Sequence, residues 1–288
     1  MNRFADEQYI KIIPTAYLTA YPRTFTDIPY SQEIFTRLEQ KLQQESGDGA
    51  DEVLKVQKLA PELEARFKLI NTLTLETGIL QILEVAAGLS TRGLAMTKDT
   101  HISYVELDLQ QMADLKAKLV EELGGSPSNF HIVSGNALQA SDLKRTVNYF
   151  DHKKQLCVLN EGLLRYLSFT EKAQVARNIH GLLEQFGGAW ITSDITLRRL
   201  LQTQDSVTMP GKNTLVSAST EKDFIENSFV NEEQAISFFE NLGFSVEVHQ
   251  FSEVFDQLVS PGRLGIAEAE TRDIIQYGRV FVMRIKTS

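Results

Sequence analysis

The stretch Ile82-Leu83-Glu84-Val85-Ala86-Ala87-Gly88-Leu89-Ser90-Thr91-Arg92-Gly93 decides how the rest of the chain is read. An apolar run ends in an acid and then in small residues, and a short helix-like segment follows. In a doubly wound α/β domain this is how the first strand passes to a ligand-binding turn. Small residues let the backbone approach a ligand, and the next helix offers free N–H groups at its N-terminus. About twenty residues on, Tyr104-Val105-Glu106-Leu107-Asp108 ends a second strand in acids, at the separation where a ribose is held. Together the two segments predict a nucleoside-containing cofactor.

A dinucleotide fingerprint would require Gly-x-Gly-x-x-Gly, and aligned on Gly88 this chain offers Ala86, Gly88 and Thr91. Glu84, two residues before the turn, would repel a phosphate but suits the cationic amino group of a methionine moiety. Both features favour S-adenosylmethionine over NAD.

Composition sets the bounds. The chain has 288 residues, 42% of them hydrophobic, enough for a substantial core. The net charge is −9 and no basic run exceeds Lys153-Lys154 or Arg198-Arg199, which disfavours a nucleic-acid partner. Cys157, the single cysteine, forbids an internal disulfide and fits a reducing compartment. No signal peptide or membrane span is legible, so the expected location is cytoplasmic. No Cys/His cluster has metal-ligand spacing and no Gly-x-Ser-x-Gly elbow occurs, so the reading includes no metal and no hydrolytic triad.

Strand-like and helix-like segments alternate, which predicts βαβ units and a parallel sheet. The expected strands are 81–86, 102–107, 130–134, 155–160 and 189–194, with helices over 109–123, 140–150 and 170–186. Ser168 and Thr170 mark the start of the last helix and Gly187-Gly188 its end. After a helix over 231–242, two β-rich runs at 244–251 and 278–286 close the chain. A pair of closing strands implies a seven-stranded, mostly parallel sheet whose last strand inserts antiparallel. The expected layout is one domain over 1–288. It comprises a helical N-terminal lid (1–75), a cofactor-binding core (76–195), an insertion or lid (196–230) and the closing helix and strand pair (231–288).

These motifs resemble the leucine carboxyl methyltransferase family, which includes bacterial relatives linked to polyketide O-methylation. Glu84–Arg92 is similar to its acid-x-Gly/Ala-Ala-Gly-Leu-Asp-Thr-Arg turn, with Ser90 in place of the acid and Ala86 in place of the first glycine. Tyr104–Asp108 matches its second-strand motif, and Asn160–Leu167 its Glu-Gly-Leu-Leu-x-Tyr-Leu segment. Thr15-Ala16-Tyr17, Tyr21-Pro22-Arg23 and Ala65-Arg66-Phe67 are similar to its N-terminal cofactor-contacting segments. The likeness covers roughly residues 15–195.

The resemblance implies roles. Arg66 would pair with the methionine carboxylate, and Arg23 belongs to a second contacting segment. Ala86, Ala87 and Gly88 would admit the cofactor to the turn. Asp108, helped by Glu106, would accept hydrogen bonds from the ribose hydroxyls. Asn136 and Ala137 would flank the adenine, with a plain turn as the other reading of Asn136. Glu161 would lie beside the methionine amino end or the transferred methyl, and Glu84 near that amino group.

The acceptor is less legible. A carboxylate is ionised at neutral pH and needs no base, whereas a hydroxyl usually does. None of the five histidines is placed at the carboxyl ends of the strands, which leans towards a carboxylate. Tyr166 and Asp194 are the alternative bases for a hydroxyl, and Arg198 with Arg199 could clamp an acidic substrate. The expected activity is O-methylation of a small molecule or an exposed carboxyl group. The alternatives are a catalytically silent cofactor-binding scaffold and, with less support, an NAD-dependent oxidoreductase.

Overall fold

The computed structural model describes residues 19–45, 57–198 and 226–286. Strands β1 (Gln81–Val85), β2 (Ser103–Asp108), β3 (Phe130–Ser134), β4 (Leu156–Asn160), β5 (Gly188–Thr192), β6 (Phe244–Gln250) and β7 (Arg279–Ile285) form one sheet. Their order is β3-β2-β1-β4-β5-β7-β6. The first five strands pair in parallel. β7 runs antiparallel to both β5 and β6, as the closing strand pair predicts. Each expected strand is present, its ends shifted by no more than a residue or two.

Helices α1 (Ser31–Glu45), α2 (Ala60–Glu76), α3 (Arg92–Met96), α4 (Gln110–Glu122), α5 (Ala140–Thr146), α6 (Phe169–Phe186), α7 (Glu232–Glu240), α8 (Ser260–Leu264) and α9 (Glu268–Ile275) cover the sheet. On one face Ala65, Leu69, Ile70 and Leu73 of α2 pack against Ile82, Tyr104, Cys157, Leu159 and Ile191. On the other, Val175, Ala176, Ile179 and Leu183 of α6 pack against Leu83, Val158 and Trp190. Strands that are buried on both faces read as near-continuous apolar runs, as Ile82–Val85 and Leu156–Leu159 do. α1 lies outside this core, where Ile34, Phe35 and Leu38 pack on Met112, Leu115 and Leu119 of α4.

Local signals account for most ends. Ser168 caps α6 in a capping box with Glu171, and Gly187 terminates the helix at φ 66°. The helix expected over 140–150 ends at Thr146 and continues as a tighter turn, Val147–Tyr149. β-branched Thr146 and Val147 favour helix propagation poorly. The connection from β6 to β7, to which the sequence assigned no element, holds the turn Phe251–Gln257, α8 and α9. Most of the 196–230 segment expected as a lid, and the 15–17 motif, lie outside the described residues. No described helix is long and apolar enough to cross a membrane.

Candidate active site

β1 and β2 place Glu84 and Glu106 directly side by side on the α2-facing side of the sheet. Two buried like charges at that spacing are destabilising unless each finds a cation. The helix that follows each strand supplies one. Arg92 of α3 pairs with Glu84 through Nη1, and its Nε donates to Asn71 Oδ1 at 2.6 Å. Lys116 of α4 pairs with Glu106 at 2.8 Å and also donates to the Ser90 carbonyl. Tyr104 Oη donates to the second Glu84 oxygen at 2.7 Å. Glu84 and Glu106 are therefore interior ion-pair partners, with relative exposures of 0% and 1%. Where direct contacts with the amino group and the ribose were expected, Glu84 is engaged by Arg92 and Tyr104 and Glu106 Oε2 by Lys116, while Glu106 Oε1 is buried without a hydrogen-bond partner among the described residues.

Glu161, just beyond β4, collects three guanidiniums. Arg23 Nη2 lies 2.5 Å and Arg66 Nε 3.1 Å from its Oε1, and Arg92 Nη2 lies 3.0 Å from its Oε2. Burial would raise the Glu161 carboxyl, but Arg66, Arg23 and Arg92 together hold it far below the ordinary carboxylate range. Burial lowers Arg23, although Glu161 opposes the shift. Arg92 also lies over the Phe67 ring, 4.6 Å from its centroid. Glu62 and Asp194 add further negative charge beside Arg66. Arg23 Nε is buried with no partner among the described residues. A carboxylate supplied by a ligand would give this donor its acceptor.

The turn after β1 has the shape its small residues suggest. Ala86 and Gly88 both lie in the left-handed region at φ 54°. A Cβ added at Gly88 would meet no atom within 4 Å, so open space lies against the backbone there. Asp108 Oδ2 accepts the Gly88 N–H at 2.6 Å, and its Oδ1 accepts the Leu109 N–H at 2.7 Å. The Asp108 carboxylate thus joins the ends of β1 and β2 and faces the same turn. Burial raises its pKa, against the pull of the Gly88 and Leu109 N–H groups. Asn136 forms the plain turn, its side-chain oxygen accepting the Leu138 N–H at 2.9 Å. The Ala137 carbonyl accepts from Asn178 at 2.9 Å.

Asp194 anchors a turn. It is buried and accepts from Asn160 Nδ2 at 2.7 Å and from the N–H groups of Gly162, Leu163 and Leu164 at 2.5, 2.5 and 3.0 Å. Trp190 Nε1 in turn holds Asn160 Oδ1 at 2.6 Å. Four donors engage the carboxylate, three on Oδ2 and one on Oδ1, and together they fix the turn that carries Glu161. Burial would lower the Arg66 pKa, but Glu161 first, and then Glu62, Asp194 and nearby Tyr166, raise it.

A cleft of about 440 Å³ opens at the carboxyl end of β5. Its walls include Arg66 of α2, Arg165, Ser193, Asp194 and, from the β6–β7 connection, Phe251 and Tyr277. No histidine lines it. Arg198, proposed from sequence as a clamp, instead donates to the Ser228 carbonyl, and Arg199 lies outside the described residues.

Sequence reasoning missed Arg92, Lys116, Asn71, Asn160 and Arg165. Arg92 and Lys116 read as ordinary helix cations. Only the Glu84–Glu106 register, invisible before the strands are paired, shows that both acids need internal partners.

The family model for leucine carboxyl methyltransferase matches residues 22–180. No curated protein matches the chain. Among solved structures, a DUF574 family protein from Streptomyces avermitilis is 13% identical with a TM-score of 0.56, and the alignment covers 93% of this chain and 97% of that one. This likeness concerns the fold. Magnesium protoporphyrin IX methyltransferase from Synechocystis, with bound SAH, is 9% identical with a TM-score of 0.48, covering 81% of this chain and 87% of that one. A candidate O-methyltransferase from Nostoc punctiforme is 15% identical with a TM-score of 0.46, covering 81% of this chain but only 60% of that longer protein.

Proposed function

The chain belongs to the leucine carboxyl methyltransferase family and is an S-adenosylmethionine-dependent methyltransferase, and we propose that it methylates a carboxylate oxygen of a small molecule or an exposed carboxyl group. One observation carries this reading. Among the described residues, the cleft beside the Arg66–Glu161 pair has no histidine on its walls, the side chain most often used to take a hydroxyl proton near neutral pH.

In the proposed site, Arg23 and Arg66 bind the methionine carboxylate. The unpartnered Arg23 Nε supports this assignment. Glu161 faces the amino group, Asp108 accepts from the ribose, and Ala86, Gly88, Asn136 and Ala137 border the nucleoside. Glu84 and Arg92 act one step behind, holding Glu161 in register. When bound, the cofactor supplies an electrophilic methyl group on a sulfonium. A carboxylate oxygen held against it would take that methyl with no proton to lose, since the acceptor is already ionised at neutral pH. No proton moves, so this chain's residues need only orient the acceptor and exclude water. Orientation alone supplies on the order of 7–11 kcal/mol.

The test is a labelled-methyl transfer assay against pooled small acids and peptides, followed by mild alkali. A methyl ester releases methanol under base, which is the expected result. A base-stable product overturns the carboxylate assignment.

A further inference from the structure

Four cations line the cleft, and they are not equivalent. Arg66 is paired with Glu161, Lys58 with Glu270 at 3.2 Å, and Arg279 with Glu232 at 3.1 Å. Arg165 makes no ion pair among the described residues, and its Nε is buried without a hydrogen-bond partner. Across the same cleft, the Ser193 Oγ is likewise buried and unpartnered. A buried donor without an acceptor is costly and rare, and two on one cleft call for a ligand that supplies acceptors. Both sit where an acceptor must enter. Arg165 lies in the helical turn Leu164–Tyr166, a few residues past Glu161, and Ser193 lies just beyond β5, before Asp194. Arg165 also occupies the open position of the Glu-Gly-Leu-Leu-x-Tyr-Leu segment, so it is a feature of this chain. Glu62 and Asp273 line the cleft too, which confines an anion's seat to the neighbourhood of Arg165 and Ser193.

We propose that Arg165 and Ser193 form an anion subsite that selects carboxylate-bearing acceptors. The proposal rests on the methyl-transfer reading and deepens it. Arg165 contributes a planar, permanently charged fork suited to a carboxylate, and Ser193 one neutral donor. Esterification removes the charge that Arg165 recognises, so the product leaves more readily than the substrate binds.

The test titrates benzoate against benzamide, and hexanoate against hexanamide, into protein saturated with S-adenosylhomocysteine. The wild type should bind one acid at least tenfold more tightly than its amide. Arg165→Gln should abolish that preference, Arg165→Lys should retain part of it, and Ser193→Ala should reduce it. S-Adenosylhomocysteine affinity should be unchanged in all three variants. With an acid found by the transfer assay, Arg165→Gln should raise KM far more than it lowers kcat. Equal affinity for acids and amides overturns the proposal, as does a preference that survives Arg165→Gln or a parallel loss of S-adenosylhomocysteine binding. If S-adenosylhomocysteine does not bind the wild type while the acid preference still depends on Arg165, the subsite stands and the methyl-transfer reading falls.

Discussion

Arg23 Nη2 lies 2.5 Å from Glu161 Oε1, joining residues 138 positions apart in the chain. Arg23 is thereby part of the site's charge balance. Removing this guanidinium takes away one of the three cations on Glu161 together with the buried Nε that lacks a partner among the described residues. Arg23→Ala should therefore weaken S-adenosylhomocysteine binding by roughly 1.5–3 kcal/mol, the scale of a hydrogen bond to a charged group. Arg23→Lys should recover part of the loss, because charge returns without the planar fork. Titration calorimetry checks both, and an unchanged affinity in Arg23→Ala would remove Arg23 from the binding site.

Ala86 occupies the left-handed region at φ 54°, where a side chain is disfavoured. The Ala86 N–H donates to the Leu107 carbonyl at 2.7 Å, so the turn is pinned in this shape. Ala86→Gly relieves the strain but gives the unfolded chain more freedom, so the net gain should be at most about 1 kcal/mol. Ala86→Val should cost more than about 1 kcal/mol, because β-branching crowds this conformation further. Thermal denaturation of the pair gives the ordering Gly, Ala, Val from most to least stable. A valine variant as stable as the parent would mean that the turn relaxes out of this shape.

The sheet was legible because its strands carry their own pattern. Apolar runs ending in acids, and the two closing β-rich segments, fixed both the strand count and the antiparallel insertion. The charges were legible as residues but not as partners. Glu84 was read as facing a ligand because it follows an apolar run and precedes a small-residue turn. Its environment depends on Arg92 and Tyr104, brought in by a helix and a neighbouring strand. Glu161 was read as lying beside the methionine amino end or the transferred methyl, and nothing local announces that residues 23, 66 and 92 converge on it. The elements α8 and α9 escaped because each is short and Gly262 and Gly265 interrupt their pattern.

Glu106 gives the fold an unusual pH dependence. Burial, opposed by Lys116 and reinforced by Glu84, pushes its carboxyl up to about 7 from an ordinary 4.5. The native state then holds the proton more tightly than the unfolded chain, so stability falls as pH rises between those values and is flat above them. Glu161 has the opposite sign: its pKa is depressed, so its contribution is present above the unfolded carboxylate pKa and is lost in acid. Chemical denaturation across the range from about pH 5 to about pH 8 should show a decline of about 1–3 kcal/mol attributable to Glu106. Glu106→Gln should flatten that decline, whatever its absolute stability. An identical slope in the variant would assign the decline to another group.

Asp194→Asn separates an anchor from a base. The carboxylate accepts from Asn160 and three successive backbone N–H groups, whereas an asparagine oxygen replaces only half of it and turns an amide donor towards the rest. Orphaning buried donors in this way should cost roughly 2–4 kcal/mol of stability. The turn bearing Glu161 should loosen with it, weakening S-adenosylhomocysteine binding, while the pH profile of kcat keeps its shape. A general base would behave differently: Asp194→Asn would leave stability and cofactor affinity intact and remove the acidic limb of the kcat profile. Trp190→Phe probes the same chain of contacts, since it deletes the donor to Asn160 Oδ1 along with part of a buried ring that packs on Phe239 and Phe244. It should lower stability by roughly 2–3 kcal/mol and shift cofactor affinity in the same direction as Asp194→Asn. If Trp190→Phe leaves cofactor affinity untouched while Asp194→Asn abolishes turnover without loss of stability, Asp194 acts on the acceptor after all.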